Sequence, residues 1–364
     1  MKVAVFALNY KNNYSGGRIH ALMMAHGFAA NGYTVDYYTN LAPVFFDDFN
    51  IYPGSENLHL KVSKYFNFPR VNNYDLLLVV PHLASKKSIV FDRFFFYPTV
   101  KKFQRASKCQ LWFLDFESPN WINKLTPQSR PESAYKYSNK ILPSVDAILS
   151  TTKEGTKYAE EYYARFNPNL SFKQLYLSIN SKVADGFIDT QKRNQVIYFG
   201  RFGEKHKNSN VLKDIINALP AGYILLVIGN PAKLNPEIYQ ALINQAKENS
   251  IELVFKSGIS ESEKYRHLAS SKLLIYSSSF EGYGLPPIEA QYVGTPALCS
   301  DIPVLREVNK GAEFINFDDK EALTAKINSM LNTSYDKERL KASVSSFAEF
   351  DNYVKNIKYL VDSI

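Results

Sequence analysis

The 364-residue sequence contains very little cysteine. Its two cysteines, Cys109 and Cys299, stand far apart and in no spacing typical of metal ligands. A disulfide-stabilised scaffold needs paired cysteines and a cysteine-rich zinc site needs clustered ones, so both classes are excluded. The scarcity of cysteine fits a reducing compartment, and we expect the protein to be cytoplasmic.

Long apolar runs are missing as well. No stretch approaches about 18 uninterrupted apolar residues, the length that a membrane-spanning helix requires. The first apolar run, at residues 2–8, is too short for the core of a signal peptide, and no small-residue cleavage pattern follows it. We therefore expect neither a membrane-spanning helix nor secretion by that route.

The composition is that of a globular protein, with 45% hydrophobic, 21% charged and 14% aromatic residues. These proportions exclude a collagenous, low-complexity or mainly disordered chain. Domains usually hold roughly 100–200 residues, so the length favours two domains over one.

Strand-like and helix-like patterns alternate along the chain. Residues 2–8 have the pattern of a buried strand, residues 18–32 that of a helix ending at a glycine, and residues 33–39 that of a second strand. From residue 196 the alternation is cleaner, and the strands are almost continuously apolar. Apolar strands separated by helices are typical of a parallel sheet covered on both faces. We therefore predict an α/β fold of two doubly wound domains in tandem.

We predict that the chain is divided into three parts. Residues 1–185 form the first domain, residues 186–345 the second, and residues 346–364 a terminal helix that packs back on the first domain. A polar stretch at residues 189–195 separates the two series, and we expect a hinge near residues 178–195. Ligands of such folds bind at the carboxyl ends of the strands, so the loops there hold the candidate functional residues.

The segment SSSFEGYGLPPIEAQYVGTP, at residues 277–296, carries the strongest functional signal. Glu281 lies in a loop after an apolar strand, and Glu289 lies just inside a helix that opens on two prolines. Gly282 and Gly284 permit a ligand to approach the backbone closely, and the helix N-terminus attracts phosphate. Two carboxylates beside such an anion site indicate bonds to sugar or ribose hydroxyls. The alternative is a glycine-containing loop with two solvated glutamates.

Two glutamates eight positions apart, within EGYGLPPIEA, resemble the E-x7-E motif of retaining glycosyltransferases of family 4, which have the GT-B fold. Three further segments are similar to this family: SGGRIHALMMAHGFAANGYTV at residues 15–35, YFGRFGEKHKN at 198–208 and GTPALCSDIPVLREV at 294–308. The resemblance is clear over residues 196–310 and the first 40 residues, and weak between them. It implies a GT-B-like architecture of two Rossmann-type domains facing a central cleft, the first binding the acceptor and the second the donor.

The resemblance also implies roles for residues of the second domain. Glu289 would hold the ribose hydroxyls of a sugar nucleotide, and Glu281 would hold the transferred sugar. Arg201 and Lys207 would clamp the diphosphate, whose negative charge grows as it departs, although Lys205 competes with Lys207 for this role. Solvated surface charge is the alternative for these basic residues. The base would dock against the backbone at Gly258 and Ile259, and further donor contacts would come from Gly282, Tyr283, Gly284 and Leu285.

The first domain offers fewer candidates. Gly16 and Gly17 would let the backbone approach the donor, or would form an ordinary entry to a helix. Many members of the family have a histidine near the transferred sugar, at the end of a middle strand, where this sequence has Asp115 and Glu117. Both are candidate contacts to sugar or acceptor, and Asp115 can equally be structural. His82 ends a different strand, where a histidine is more often a hydrogen-bonded structural residue.

Positive charge is concentrated in the first half, where residues 1–190 carry +7 of the total charge of +8. Its densest part, residues 84–108, combines seven lysines and arginines with one aspartate and six aromatic residues. Cations mixed with large aromatics suit an anionic membrane surface, and buried aromatics below a solvated basic face are the alternative. No nucleic-acid-binding motif is recognisable, so nucleic acid is not expected as a partner.

Together these inferences predict a retaining hexosyltransferase, peripheral on the inner face of the cell membrane if the basic segment binds lipid. It would move a sugar from a UDP- or GDP-sugar to a glycan or polyprenyl-lipid-linked acceptor, in surface polysaccharide or glycolipid biosynthesis. The resemblance implies front-face substitution rather than double displacement. No metal or other cofactor is expected, because no D-x-D motif lies on a loop and Arg201 with Lys207 would supply the charge. A sugar-nucleotide epimerase and a noncatalytic nucleotide-sugar-binding subunit remain as alternatives.

Overall fold

The structure is a computed structural model, and it describes residues 1–9, 16–69, 73–81, 89–126 and 131–362. The chain divides into two compact units, the first formed by Met1–Ser178 with Phe350–Ile364 and the second by Ile179–Glu349. The expected boundaries were 185/186 and 345/346, and this division falls at 178/179 and 349/350.

The first unit is built on a parallel sheet. Its strands are β1 (Lys2–Phe6), β2 (Thr34–Thr39), β3 (Leu58–Val62), β4 (Leu76–Val79), β5 (Gln110–Asp115), β6 (Ala147–Ser150) and β7 (Ser171–Gln174). They follow the order β3-β2-β1-β4-β5-β6-β7. The helices are α1 (Gly16–Ala30), α2 (Ile89–Phe91), α3 (Tyr97–Ser107), α4 (Pro119–Leu125), α5 (Lys136–Asn139) and α6 (Lys153–Tyr163), with a π-helical turn at Asp92–Phe96 between α2 and α3.

Strand β1 shows why this sheet forms. Its side chains alternate between two hydrophobic cores, with Val3 and Val5 in one and Ala4 and Phe6 in the other. All four are completely buried, which explains the unbroken apolar run in the sequence. Helices therefore cover both faces of the sheet, as the strand pattern predicted.

The second unit repeats this design with six parallel strands. They are β8 (Gln195–Phe199), β9 (Ile224–Ile228), β10 (Glu252–Lys256), β11 (Leu273–Tyr276), β12 (Ala297–Ser300) and β13 (Glu313–Ile315), in the order β10-β9-β8-β11-β12-β13. The helices are α7 (Ser181–Asp185), α8 (Leu212–Ala218), α9 (Pro236–Glu248), α10 (Glu261–Ser270), α11 (Leu285–Tyr292), α12 (Pro303–Val308), α13 (Lys320–Leu331) and α14 (Lys337–Ala348). Two parallel-sheet α/β units confirm the predicted fold class.

The last helix, α15 (Phe350–Val361), belongs to the first unit and packs on α1. The side-chain amide of Asn31 donates to the carbonyl of Val354 at 2.9 Å. Gly27 faces this helix so closely that a Cβ there would lie 2.3 Å from Cδ1 of Ile357. The absence of a side chain at Gly27 thus lets α15 approach the backbone of α1.

Short 3₁₀ turns lie at Asp47–Phe49, Ser55–Asn57, Glu132–Tyr135, Leu142–Ser144, Lys205–Lys207, Ser209–Val211 and Pro231–Lys233. Within the ranges that the structure describes, no helix is both long and apolar enough to cross a membrane.

Candidate functional site

The candidate site of the second unit lies where the strand order of its sheet reverses. Strands β8 and β11 are neighbours there, with Tyr198 paired to Ile275, and their loops leave the same edge of the sheet. The loop after β8 leads to the 3₁₀ turn Lys205–Lys207, and the loop after β11 carries Glu281. A backbone bond from Ser279 N–H to the carbonyl of His206, at 2.8 Å, ties the two loops together.

Lys207 and Glu281 form a buried ion pair at this junction. Nζ of Lys207 lies 2.6 Å from Oε1 of Glu281, and the two side chains are 7% and 9% exposed. The hydroxyl of Tyr276 donates to the same carboxylate oxygen. Burial alone would raise the pKa of Glu281, but the Lys207 charge and the hydrogen bonds from Lys207, Ser278 and Tyr276 outweigh it and lower the pKa. Glu281 is therefore an ionised carboxylate in a fixed orientation.

The 3₁₀ turn places Lys205 and Lys207, both candidates for the diphosphate contact, in different environments. Lys207 is buried, and its carbonyl accepts a hydrogen bond from the hydroxyl of Tyr198 at 3.1 Å. Lys205, two positions earlier, is exposed. The structure thus places Lys207, and not Lys205, on the predicted sugar-binding glutamate, while contact with a diphosphate stays a prediction for both.

Arg201 lies in the same loop, with its side chain 72% exposed. Its Nη1 is 3.4 Å from Oε1 of Glu204, a distance that allows only a weak, solvent-screened ion pair. The guanidinium is therefore available to an anionic ligand at little energetic expense.

Glu289 lies on the first turns of α11. Gly284 precedes this helix with φ +90°, a left-handed conformation that favours glycine, and Pro286 and Pro287 occupy the opening turn. A Cβ at Gly284 would lie 2.4 Å from Cδ2 of Leu305, so the close packing of this turn also requires glycine. Glu289 itself is 3% exposed.

Glu289 has a partner that sequence reasoning missed. Nζ of Lys264, on α10, lies 2.6 Å from Oε1 of Glu289 and 2.7 Å from Oε1 of Glu261. The hydroxyl of Tyr265 donates to the same Glu289 oxygen at 3.4 Å. The only local signal was the three-residue spacing of Glu261 and Lys264, which in a helix equally describes a solvated pair.

Charge within this cluster is unbalanced, with one lysine between two carboxylates. Burial would lower the pKa of Lys264, but Glu261 and Glu289 outweigh it and raise the pKa, so the ammonium stays charged. Burial, together with repulsion from Glu261, raises the pKa of Glu289 against the opposing effect of Lys264. The ionised form of Glu289 thus depends on Lys264.

The remaining predicted donor contacts lie in the loop after β10 and between the two glutamates in the sequence. Gly258, in the loop after β10, has φ +67°, and no atom lies within 4 Å of its Cβ position. Ile259 is half-buried, and Ser260 then starts α10 with a capping box to Glu263. Gly282 and Tyr283 are buried and Leu285 is half-buried.

In the first unit, the structure brings two of the predicted segments together. Gly17 lies at the start of α1, and a Cβ there would be 3.3 Å from the Phe116 ring, which lies between Asp115 and Glu117 in the sequence. Asp115 is buried at the end of β5 and accepts a hydrogen bond from the Tyr163 hydroxyl at 2.9 Å. Glu117 is half-buried.

Three further points complete the first unit. Gly16 is exposed, with no atom within 4 Å of its Cβ position. Sequence reasoning did not select His20, which is buried on α1 with its ring centroid 6.2 Å from that of Phe116. His82 lies outside the described residues.

The basic aromatic segment divides in two. Phe96, Tyr97 and Phe103 are buried in the core, whereas Phe94 and Phe95 are 57% and 37% exposed on the π-helical turn. Residues 84–88, with Lys86 and Lys87, lie outside the described residues. Burial in the core therefore explains some of the aromatic residues of this segment, but not Phe94 and Phe95.

The sequence is similar to that of known glycosyltransferases. Residues 186–345 match the sequence model of a family described as glycosyl transferases group 1. The chain is 28% identical over 189 residues to the O-antigen chain mannosyltransferase RfbU of Salmonella typhimurium, which corresponds to 51% of this chain and 50% of that protein. The chain therefore spans about half the length of this relative.

Solved structures are similar over the whole chain. Sucrose-phosphate synthase from Thermosynechococcus elongatus superposes with a TM-score of 0.72 at 13% identity, covering 100% of this chain and 98% of that one. HepE of Anabaena, solved with UDP and glucose, has a TM-score of 0.66 at 13% identity and full coverage of both chains. The fold is that of the GT-B glycosyltransferases, and the second unit is similar in sequence to their group 1 family.

Proposed function

We propose that this protein is a retaining glycosyltransferase of family 4, which transfers a hexosyl group from a UDP- or GDP-sugar to a glycan or polyprenyl-lipid-linked acceptor. The observation that carries the proposal is the junction of the loops after β8 and β11, which gathers Arg201, Lys207 and Glu281 at the strand-order reversal. This junction lies within the region that matches the glycosyltransferase family. Similarity to an O-antigen mannosyltransferase favours a role in surface polysaccharide synthesis.

In this proposal the second unit binds the donor. Glu281, ionised and held by Lys207, accepts hydrogen bonds from hydroxyls of the transferred sugar. Exposed Arg201 and the nearby Lys207 stabilise the charge that develops on the diphosphate. Because these cations serve the leaving group, the reaction needs no metal or other cofactor.

Transfer would proceed by front-face substitution. The bond between the sugar C1 and the β-phosphate oxygen breaks while the acceptor oxygen bonds to C1 from the same face. The acceptor proton passes to the departing diphosphate, so the configuration at C1 is retained and no enzyme nucleophile is consumed. The first unit would bind the acceptor, with Asp115 and Glu117 near the start of α1 as candidate contacts.

The decisive experiment incubates the purified protein with UDP- and GDP-sugars, with and without a membrane lipid extract. Release of nucleoside diphosphate from one donor, faster with lipid, is the expected result and identifies the donor. Conversion of the sugar nucleotide without release would favour an epimerase, and binding without turnover would favour a noncatalytic subunit. NMR of the product at C1 tests retention, and an inverted product would overturn it.

Arg201→Ala tests the assigned chemistry. We expect turnover to fall by about 10²-fold or more with a much smaller change in donor binding, because the contact strengthens as the diphosphate departs. Arg339→Ala, at an exposed arginine of the same unit, is the control. Unchanged turnover in Arg201→Ala would remove Arg201 from the mechanism. Lys205→Ala tests the other lysine: turnover as low as in Arg201→Ala would assign a diphosphate contact to Lys205, and unchanged turnover would exclude it.

We further propose that the exposed part of the basic aromatic segment contacts an anionic membrane. Val90 and Tyr65 are also exposed, at 57% and 60%, and the Tyr65 ring centroid lies 6.4 Å from that of Phe95. The Arg93 guanidinium lies 4.7 Å from the Phe94 ring centroid. Exposed aromatics among cations suit the interface of anionic lipid.

Cosedimentation with vesicles tests this contact. Phe94→Ser with Phe95→Ser should reduce binding to phosphatidylglycerol vesicles, and replacing Lys101, Lys102 and Arg105 by glutamate should reduce it further. Leu41→Ser with Val44→Ser, at exposed apolar residues elsewhere in the unit, is the control. Equal binding by all variants would contradict the membrane contact and indicate that the segment is a solvated basic surface.

A further inference from the structure

Lys264, in the second unit, forms two ion pairs and has no role in the proposed chemistry. It lies on α10, and its side chain is only 15% exposed. Its ammonium bridges Glu261 on its own helix and Glu289 on α11, 25 residues further along the chain. A largely buried lysine with two carboxylate partners is not a solvated surface charge, so its position needs a reason.

Two side chains of α10 bind the same oxygen of the Glu289 carboxylate. Lys264 and Tyr265 both donate to Oε1, at 2.6 and 3.4 Å. Two donors from α10 therefore restrain the same carboxylate oxygen, which limits how the Glu289 side chain can turn. A vicinal diol can donate two hydrogen bonds to a carboxylate only if that carboxylate is ionised and correctly oriented.

The helix that carries Lys264 also begins directly after the loop predicted to meet the base. Its capping box at Ser260 lies two residues after Gly258, which has a left-handed backbone and no atom within 4 Å of its Cβ position. Lys264 therefore links the helix that follows the loop predicted to meet the base to the glutamate predicted to meet the ribose. One side chain spans the two elements that would recognise a nucleoside.

We propose that Lys264 is a positioning residue that orients the Glu289 carboxylate for the ribose diol of the donor nucleotide. This inference rests on the proposed function, because it assigns Glu289 to a nucleotide. It makes Lys264 a determinant of ribose recognition without direct contact with the reacting atoms. The competing explanation is that the lysine only fastens α10 to α11.

The test measures binding of UDP and GDP, and of their 2′,3′-dideoxy analogues, by calorimetry. For the wild-type protein we expect the ribonucleotide to bind on the order of tenfold more tightly than its dideoxy analogue. Lys264→Met should remove most of this preference and leave the affinity for the dideoxy analogue nearly unchanged. Lys264→Arg, which keeps the charge, should restore part of it.

Two controls keep the outcomes distinct. Lys272→Met removes a half-buried lysine that bonds to Tyr223 and should leave the preference intact. Glu289→Gln should lose the preference as Lys264→Met does. If Lys264→Met weakens both nucleotides equally, or retains the preference while Glu289→Gln loses it, the positioning role is wrong. If the wild-type protein binds neither UDP nor GDP, the proposed function itself fails.

Discussion

At the scale of single residues, Lys207 and Glu281 stabilise one another in a place where either charge alone would be unfavourable. Both side chains are less than 10% exposed. Removing one member of a buried ion pair leaves an uncompensated charge, which typically lowers stability by about 3–5 kcal/mol. Their proximity in space could not be read from positions 74 residues apart.

We therefore expect Lys207→Met to lower the free energy of unfolding by about 3 kcal/mol. The double variant Lys207→Met with Glu281→Gln should regain most of that loss, because no buried charge remains. Lys326→Met breaks a partly exposed pair with Glu313 and should lower the free energy of unfolding by less than about 1 kcal/mol. Urea unfolding measures all three, and a loss in Lys207→Met no larger than in Lys326→Met would contradict the burial argument.

His26 allows a prediction of pH dependence. It is fully buried on α1, with Nδ1 3.4 Å from Oγ of Ser55, and burial lowers its pKa from 6.5 to about 4. Below pH 6.5 the unfolded chain binds a proton that folded His26 does not, so acid favours unfolding until the pH reaches about 4.

Between pH 7 and pH 4 this histidine should reduce the free energy of unfolding by about 3 kcal/mol. The pH profile of His26→Gln should lack that component. His59→Gln, at an exposed histidine, should retain it. Parallel profiles for the wild-type protein and His26→Gln would show that His26 does not titrate in this way.

At the scale of elements, the turn between β11 and α11 determines where Glu289 lies. A β-carbon at Gly284 would combine a left-handed backbone with a contact 2.4 Å from Leu305. Gly222, in the turn before β9, has a similar φ of +80° but no atom within 4 Å of its Cβ position. Replacing Gly222 by alanine would therefore introduce backbone strain alone, whereas replacing Gly284 would add a steric clash.

Gly222→Ala should lower stability by about 1–2 kcal/mol through backbone strain alone. Gly284→Ala should lower it by a further 1–3 kcal/mol or so through overpacking, and should also weaken nucleotide binding by displacing α11. Thermal unfolding and calorimetry measure the two effects. Equal loss of stability in the two variants would mean that Leu305 moves aside freely.

At the scale of the whole molecule, the chain returns to its first unit through α15. Phe350, Tyr353 and Ile357 are buried in the core of that unit. Burying each large apolar side chain contributes about 1.5–3 kcal/mol, so together they match much of the stability of a typical domain, about 5–15 kcal/mol.

Truncation after residue 349 should therefore unfold the first unit and leave the second folded. We expect limited proteolysis to digest residues 1–178 rapidly while residues 179–349 persist and still bind nucleotide. Truncation after residue 358, which keeps Phe350, Tyr353 and Ile357, is the control. Equal protease resistance of both truncated proteins would show that α15 is dispensable.

The sequence by itself determined the fold class and the candidate loops of the second unit. Apolar runs report the burial of strands locally, and the turn from Gly284 into α11 is encoded by adjacent glycine and proline residues. Only the tertiary structure decided which lysine meets Glu281, that Lys264 holds Glu289, and which phenylalanines of the basic segment are exposed. These features depend on contacts between residues distant in the chain, and such contacts arise only after the strands have been ordered into a sheet.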